Sequence, residues 1–207
     1  MNRRDQKSEA RKFDRSYFDR WYRDPRHRVG SGATTRRRVA MVVAVAEYFL
    51  ERPIRSVLDV GCGEGQWQPL LAALRPRLRY TGVDSSEYAI ARFGRRRNLF
   101  PGTFGALAEL PLASSYDLVV CSNVLAYVDR SELLPGLGEL ARRTGGVAFL
   151  EAYDSGLELD GDAEGLDLRS TKFYRAIFRR AGFTPCGPHC YAGPTLGERV
   201  TALEAGR

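Results

Sequence analysis

The feature that most constrains the fold is a glycine-rich turn at the end of a short apolar segment. Residues 56–60 (SVLDV) are mostly apolar, which predicts a buried strand. This strand runs directly into Gly61, Gly63 and Gly65, and a helical pattern begins at Gln66. Glycines lack a side chain and therefore let the backbone approach a ligand closely. The order of strand, glycine turn and helix predicts an α/β sheet that binds a ligand beyond the carboxyl ends of its strands.

The rest of the chain continues the alternation of apolar runs and amphipathic segments. Strands are predicted at residues 79–84, 99–104, 117–122 and 147–151, with two short ones near 183–186 and 198–203. Helices are predicted at residues 66–74, 86–97, 131–142 and 170–181, with Gly145-Gly146 as the stop after the third. This alternation predicts a Rossmann-like, doubly wound α/β fold. We expect a mostly parallel sheet of about seven strands with helices on both faces.

The N-terminal region has a different pattern. Five aromatic side chains recur at helical spacing within residues 8–23, which predicts an amphipathic helix capped by Ser8 and ended by Asp24-Pro25. A second helix follows, for which Thr34 or Thr35 is the predicted cap. An isolated helix of the first one's length is marginally stable, so its aromatic face has to pack against the body. The aromatic side chains are Phe13, Tyr17, Phe18, Trp21 and Tyr22.

The positive charge of the protein is concentrated in the same region. Residues 1–38 carry a net charge of +8, whereas residues 39–207 carry −1. We therefore divide the chain into a basic, aromatic helical arm (1–38) and a ligand-binding domain (39–207). The charge favours an acidic partner, either a carboxylated or phosphorylated small molecule or a nucleic acid. It is equally compatible with a basic helix surface that only faces solvent.

The overall composition excludes several classes of protein. Hydrophobic residues make up 43% and charged residues 28% of the chain, which is typical of a globular domain and not of a disordered one. There is no apolar run of the roughly 20 residues that a membrane span needs. Four cysteines in 207 residues do not form a disulfide scaffold. We expect a cytoplasmic protein without a membrane segment, either a monomer or a homodimer.

The second strand indicates which ligand the glycine turn binds. It ends in Asp84, a carboxylate that can accept hydrogen bonds from both hydroxyls of a ribose. A glycine turn followed one strand later by an acid predicts a cofactor of the adenosine type. A dinucleotide fingerprint would place its third glycine where Gln66 stands, which disfavours a nicotinamide oxidoreductase. A phosphate-binding P-loop would need a lysine, and none is nearby.

Several segments together resemble the class I S-adenosylmethionine-dependent methyltransferases. The glycine turn with its strand is similar to their first motif, and the Asp84 segment to their second. The run into the fourth strand and the loop after it also match, and the resemblance covers about residues 55–185. The matching segments are 57–65, 82–86, 109–111, 116–120 and 122–127.

The resemblance implies S-adenosylmethionine as cofactor and S-adenosylhomocysteine as product. It assigns cofactor binding to Asp59, Gly61, Cys62, Gly63, Gly65, Asp84, Ser85, Ala106, Leu107 and Asn123. Members of the family often carry an acid near the adenine, whereas this chain has Ala106 and Leu107 there. The backbone N–H of Leu107 is the expected substitute. No metal is expected, because the potential ligands around His189 lack a fourth member.

The cofactor motifs do not identify the residues that act on the methyl acceptor. His27, Tyr22 and Tyr127 are the candidates for catalysis, His27 because histidine side chains in general can act as bases near neutral pH. Glu151 and Tyr153 follow the fifth strand and therefore also belong to the ligand edge of the sheet. We expect residues 8–33 to form a lid over the acceptor, with Tyr22, His27 or Arg28 facing it.

The motifs that the chain lacks restrict the possible classes of methyl acceptor. The loop after the fourth strand, Ser122–Leu125, has neither the Asn/Asp-Pro-Pro-Tyr run of nucleobase amine methyltransferases nor the Pro-Cys of 5-methylcytosine enzymes. A small-molecule acceptor is the leading hypothesis, an anionic one being favoured by the charge of the arm. One alternative is an RNA methyltransferase that uses the Arg-rich arm, although nucleic acid is disfavoured as a partner. Another is a catalytically inactive, methyltransferase-like interaction subunit.

Overall fold

The computed structural model describes residues 13–28, 32–152 and 166–200. Six α-helices occur in these ranges: α1 Arg15–Phe18, α2 Gly32–Leu50, α3 Trp67–Leu74, α4 Glu87–Arg97, α5 Arg130–Arg143 and α6 Thr171–Arg180. The strands are β1 Ser56–Val60, β2 Arg79–Asp84, β3 Leu99–Pro101, β4 Tyr116–Ser122, β5 Thr144–Glu151, β6 Thr184–Gly187 and β7 Cys190–Ala192. Helices and strands alternate from β1 to β5, as the sequence predicts.

The seven strands form a single sheet in the order β3-β2-β1-β4-β5-β7-β6. The first five are parallel to their neighbours, whereas β7 pairs with β5 and β6 in antiparallel fashion. One hydrophobic cluster joins one face of the sheet to α2, α3 and α4, and another joins the opposite face to α5 and α6. The predicted fold, a mostly parallel doubly wound sheet with helices on both faces, is confirmed.

This topology determines where a ligand can bind. The strand order reverses between β1 and β4, which pair through Val57 and Leu118. In open α/β sheets, ligands bind beyond the carboxyl ends of the strands at such a switch point. The glycine turn after β1, the residues after β2 and the loop after β4 therefore share one edge of the sheet. We call it the ligand edge.

The structure corrects the predicted ends of two strands. Gly145-Gly146 was expected to end a helix, yet both residues belong to β5. A Cβ added at Gly146 would lie only 2.2 Å from the carbonyl oxygen of Asp117, so glycine there permits close strand packing. The third strand ends at Pro101 instead of continuing to residue 104. Proline has no N–H to donate to the ladder.

The prediction of the last strand was wrong. A strand was expected at 198–203, but Gly197–Arg199 form a 3-10 turn and residues beyond 200 lie outside the described part of the chain. The seventh strand is Cys190–Ala192, which turns back on β6 in a hairpin. His189 in that turn has φ +56°. Three strand residues are too few for their periodicity to be recognised in the sequence.

The first helix is shorter than its aromatic periodicity predicts. Ser8, the predicted cap, lies outside the described residues. Helix α1 begins at Arg15, because the side chain of Asp14 caps it by accepting a 3.0 Å hydrogen bond from the N–H of Tyr17. The helix continues as a π-helical turn over Asp19–Arg23. Turns of this kind are rare and occur often at functional sites.

The second helix of the N-terminal region begins earlier than predicted. It starts at Gly32, so Thr34 and Thr35 lie in its first turn and do not precede it. Its buried positions, Val39, Val42, Val43 and Ala46, pack against the sheet. The boundary proposed at residue 38 therefore falls inside a continuous helix. We call residues 13–28, which precede this helix, the aromatic arm.

Candidate functional site

The glycine turn is held by the neighbouring strand. The N–H groups of Gly61 and Cys62 both donate to the carbonyl of Val83 in β2, at 2.8 and 3.1 Å. All three glycines of the turn have positive φ: +69° at Gly61, +53° at Gly63 and +71° at Gly65. Side chains are disfavoured at such angles, so the turn needs glycine for its own backbone conformation.

The close approach of neighbouring atoms is a second reason why glycine is needed at these positions. A Cβ added at Gly61 would lie 2.1 Å from Cγ2 of Val124, which belongs to the loop after β4. A Cβ added at Gly63 would lie 3.0 Å from the hydroxyl oxygen of Tyr22 and 3.1 Å from a ring carbon of Phe18. The turn thus lies between the loop after β4 and the aromatic arm.

Asp84 connects the turn to the loop after β2. One of its carboxylate oxygens accepts a 2.6 Å hydrogen bond from the N–H of Gly63, and the other a 2.8 Å bond from the N–H of Ser86. Burial raises the pKa of this carboxyl, and the two backbone N–H groups partly oppose the shift. Each oxygen can accept a second hydrogen bond. Asp84 therefore supports the turn and retains capacity for a ligand's hydroxyls.

Asp59, also predicted to bind the cofactor, lies beneath the turn with 3% of its surface exposed. It accepts a 2.6 Å hydrogen bond from the hydroxyl of Tyr80. Burial raises the pKa of Asp59 to about 7, and the Tyr80 hydrogen bond lowers it in part. Burial likewise raises the pKa of the Cys62 thiol well above its usual value. Both groups support the turn from the interior.

The remaining predicted cofactor residues surround the same edge. Ser85 is half-buried directly after Asp84. Ala106 is half-buried at the start of a 3-10 turn, whereas the side chain of Leu107 is buried in the core. Asn123 has φ +59°, and its N–H donates to the carbonyl of Glu151 at 2.8 Å, which bends the loop after β4 over the sheet.

The aromatic arm crosses the ligand edge and contacts the segments that follow three different strands. Arg23 forms an ion pair with Glu64 in the glycine turn. The ring of Phe18 stacks on Tyr88, at the start of α4, with 5.6 Å between centroids. The ring of Phe13 meets Tyr127, after β4, edge to face at 5.4 Å. The arm therefore covers the region where β1, β2 and β4 end.

Two of the three catalytic candidates lie at this junction. Tyr22 keeps 36% of its surface exposed, but its hydroxyl is turned toward the glycine turn. Burial of that hydroxyl, followed by the charges of Tyr17 and Asp84, raises the pKa of Tyr22 well above its usual value. Tyr22 is therefore a hydrogen-bond donor at neutral pH. Tyr127 is half-buried against Phe13.

The third candidate, His27, interacts within its own segment. Its Nδ1 lies 2.8 Å from a carboxylate oxygen of Asp24, and its ring meets that of Trp21 at 6.2 Å. The backbone N–H of Arg26, and then His27, lower the pKa of Asp24 to about 2. The imidazole is exposed, as is Arg28. The structure thus brings Tyr22 and Tyr127 to the ligand edge and places His27 on the outer side of the arm.

Sequence reasoning missed several polar groups at the ligand edge. Glu64, between two glycines of the turn, is 5% exposed, and a buried acid needs a partner, which here is Arg23. Glu151 ends β5, as expected, but its partners were not foreseen: Arg38 from α2, at 3.1 Å, and the hydroxyl of Ser122. These partners are distant in the chain, so no local pattern indicates them. Tyr153 lies outside the described residues.

Residues 13–28, 32–152 and 166–200 contain no group of three or more side chains that could hold a metal ion. Within the same ranges, no helix combines the length and the apolar character that a membrane span requires.

Comparisons with known sequences identify a similarity to methyltransferases that includes the glycine turn. A family model for a methyltransferase domain matches residues 58–147, which include the glycine turn, β2, β3 and β4. A trans-aconitate 2-methyltransferase from Deinococcus radiodurans is 32% identical over 100 residues. That match covers 47% of this chain and 38% of the relative, so the chain spans well under half of the relative's length.

Solved structures share the fold over most of the chain. A SAM-dependent methyltransferase from Archaeoglobus fulgidus superposes with a TM-score of 0.62 at 18% identity, covering 81% of this chain and 73% of the other. Magnesium protoporphyrin IX methyltransferase from Synechocystis, solved with bound SAM, gives 0.62 at 19% identity, covering 91% and 93%. At these identities the likeness concerns the fold alone.

Proposed function

We propose that the chain is a class I S-adenosylmethionine-dependent methyltransferase that methylates a carboxylate oxygen of a small anionic molecule; the match of residues 58–147 to a methyltransferase-domain model supports the first part of this proposal. The cofactor of the family is S-adenosylmethionine, and the product formed from it is S-adenosylhomocysteine. The observation that carries the choice of acceptor is the geometry of the aromatic arm, which brings the hydroxyl of Tyr22 close to Gly63 and leaves His27 paired with Asp24 on the outer side.

The residues of the ligand edge fit this cofactor. Gly61 and Gly63 provide a turn without side chains, on which a bulky ligand can lie against the backbone. Asp84 has lone pairs left for the two ribose hydroxyls. In this proposal the backbone of Ala106 and Leu107 contacts the adenine, and Asn123 contacts the methionine part. When bound, S-adenosylmethionine supplies a methyl group already activated by its positive sulfur.

The chemistry left to the protein is positioning and exclusion of water. A base is needed only when the acceptor arrives protonated. Tyr22 is protonated at neutral pH, and His27 is paired with Asp24 on the exposed side of the arm. A carboxylate acceptor is already ionised and needs no base. In this proposal the aromatic arm is the lid, with Tyr22 donating a hydrogen bond to the acceptor.

The ion pairs within the arm also favour a small anion over RNA as the methyl acceptor. RNA binding draws on arginines that are free to meet phosphates. In the described part of the arm, Arg15, Arg23 and Arg26 lie within ion-pair distance of its own acids or of Glu64. The similarity to a trans-aconitate 2-methyltransferase, whose name specifies a small tricarboxylate, agrees with this choice.

The location we propose is cytoplasmic. Cys62, Cys121, Cys186 and Cys190 form no disulfides in the structure. Thiols that are not joined in disulfides suit a reducing compartment.

Two measurements test the proposed function. Calorimetry should show binding of S-adenosylhomocysteine and none of NAD, and Asp84→Ala should weaken that binding by about 1–3 kcal/mol, or roughly 5- to 150-fold. Glu109→Ala, an exposed acid near the same edge, is the matched control and should bind as the parent protein does. With methyl-labelled S-adenosylmethionine and trans-aconitate, mass spectrometry should detect a methyl ester.

Each alternative function predicts a different result. An RNA methyltransferase would place the label in RNA, with binding that weakens steeply as salt is added. An inactive interaction subunit would bind no S-adenosylhomocysteine. Methylation of an amine or a thiol, with no ester formed, would contradict the proposed acceptor while leaving the cofactor assignment intact.

A further inference from the structure

A cleft on the far side of the loop after β4 has no role in the function derived so far. It lies where α5 and α6 begin, and its volume is about 250 Å³. Its lining combines two arginines, one acid, one hydroxyl and one aromatic ring: Arg130, Arg169, Asp167, Ser170 and Phe173.

The charges in the cleft are unbalanced. Arg169 is 8% exposed and forms an ion pair with Asp167. The guanidinium of Arg130 lies 5.8 Å from the ring centroid of Phe173 and has no carboxylate within ion-pair distance among the described residues. The guanidinium of Arg169 lies at the same distance from that ring. Two cations thus face one ring, and among the described residues only Arg169 is paired with an acid.

The backbone increases this positive potential. Helices α5 and α6 both begin at the cleft, and the N-terminus of a helix carries a partial positive charge. Asp129 and Glu132 at the start of α5 carry negative charges that partly offset this potential, and Asp129 makes no capping hydrogen bond with its side chain. Ser170 caps α6 by accepting a hydrogen bond from the N–H of Phe173, which leaves its own hydroxyl proton able to donate. A concave site with this potential suits a small anion.

The cleft is tied directly to the loop that borders the ligand edge. Arg169 donates to the carbonyls of Leu125 and Val128, each at 2.8 Å. The N–H of Asp167 donates to the carbonyl of Ala126, also at 2.8 Å. Tyr127 and Arg130 are three positions apart in the chain, so their Cα atoms are at most about 10 Å apart. One small molecule can therefore span from the ligand edge to the cleft.

We propose that this cleft binds a second carboxylate of the methyl acceptor, and that the acceptor is consequently a di- or tricarboxylate. Arg130 is the main anion-binding group, because its guanidinium forms no ion pair with the residues that the structure describes. Arg169 is a positioning residue, since its hydrogen bonds hold the loop after β4 in place. Phe173 provides the apolar wall against which the carbon chain of the ligand packs. The inference rests on the proposed function, because it takes the ligand to be the acceptor.

The experiment uses tricarballylate, a flexible tricarboxylate, as the probe. Its binding to the full chain saturated with S-adenosylhomocysteine is measured by ligand-observed NMR, so that no turnover occurs. Arg130→Gln should weaken tricarballylate binding at least tenfold, and Arg130→Lys should restore part of the loss. Arg95→Gln, which removes an exposed arginine from α4, is the matched control and should change binding less than twofold. Arg130 is exposed, so thermal unfolding of its variants should match the parent.

The same samples separate failure of this inference from failure of the proposed function. If S-adenosylhomocysteine does not bind, the proposed function is wrong. If it binds but tricarballylate does not, or binds equally well to Arg130→Gln, the carboxylate site in the cleft is overturned and the cofactor assignment stands. A loss of tricarballylate binding as large for Arg95→Gln as for Arg130→Gln would also overturn it, because attraction would then come from overall charge.

Discussion

The glycine turn and the aromatic arm meet at Gly63, yet they are held in place by different forces. The turn is fixed by backbone hydrogen bonds to β2 and has buried residues at Cys62, Gly63 and Glu64. In the arm, Phe18 is the one fully buried residue among 13–28, and most contacts with the body are made by side chains. Segments with few buried contacts open more easily than the core. The turn should therefore behave as fixed scaffold and the arm as a separable cover.

The largest effect is expected for Gly63→Val. A β-branched residue at φ +53° is strained by about 1–2 kcal/mol, and its side chain would also meet Tyr22 and Phe18. S-Adenosylhomocysteine binding measured by calorimetry should fall below detection while the domain remains folded. Gly138→Val is the control, because nothing lies within 4 Å of a Cβ added there. Normal methylation by Gly63→Val would show that the turn is not the cofactor site.

Removal of the arm is the next largest perturbation, and it should separate catalysis from binding. Deletion of residues 1–30 leaves α2 intact, since that helix begins at Gly32. Binding of S-adenosylhomocysteine should stay within about tenfold of the full chain, about 1.4 kcal/mol, whereas turnover should be lost. Full activity of the shortened protein would refute the lid. A far larger loss of binding would show that arm and turn form one unit.

A smaller effect is expected from the buried acid beneath the turn. The pKa of Asp59 is about 7 in the folded protein, against 3.8 for the unperturbed group. Between these values the unfolded chain releases a proton that the folded protein retains, so stability falls as pH rises from about 4 to 7. Asp59→Asn should remove this part of the pH dependence, worth a few kcal/mol. The measurement is urea unfolding at several pH values; parallel curves for the two proteins would contradict the shift.

The smallest effect is expected for Arg23→Gln, which removes the ion pair between arm and turn. The guanidinium is partly exposed, so the loss in unfolding free energy should stay below about 1 kcal/mol. Release of S-adenosylhomocysteine, followed in a stopped-flow instrument by the fluorescence of Trp21, should become faster. Arg20→Gln, an arginine of the arm that stacks over Trp21, is the matched control. Equal release rates for parent and Arg23→Gln would mean that this ion pair does not retain the cofactor.

The sequence by itself determined the parts of the protein that depend on local pattern. Strands β1 and β2 have the predicted bounds, because short apolar runs closed by Gly61 and Asp84 leave little choice of register. The glycines of the turn indicate its positive φ angles, since other residues are disfavoured at such angles. The resemblance to the methyltransferases also rests on these segments, because it depends on the same local residues. The catalytic assignments from sequence remain predictions.

The tertiary structure alone decided which distant groups meet. Arg23 and Glu64 are 41 positions apart, and Arg130 and Phe173 approach each other only because α5 and α6 begin side by side. Likewise, the seventh strand exists because a hairpin places Cys190 against β5, not because three residues carry a recognisable period. Such contacts depend on how completed helices and strands pack, and packing is a property of the whole chain that no short stretch of sequence contains.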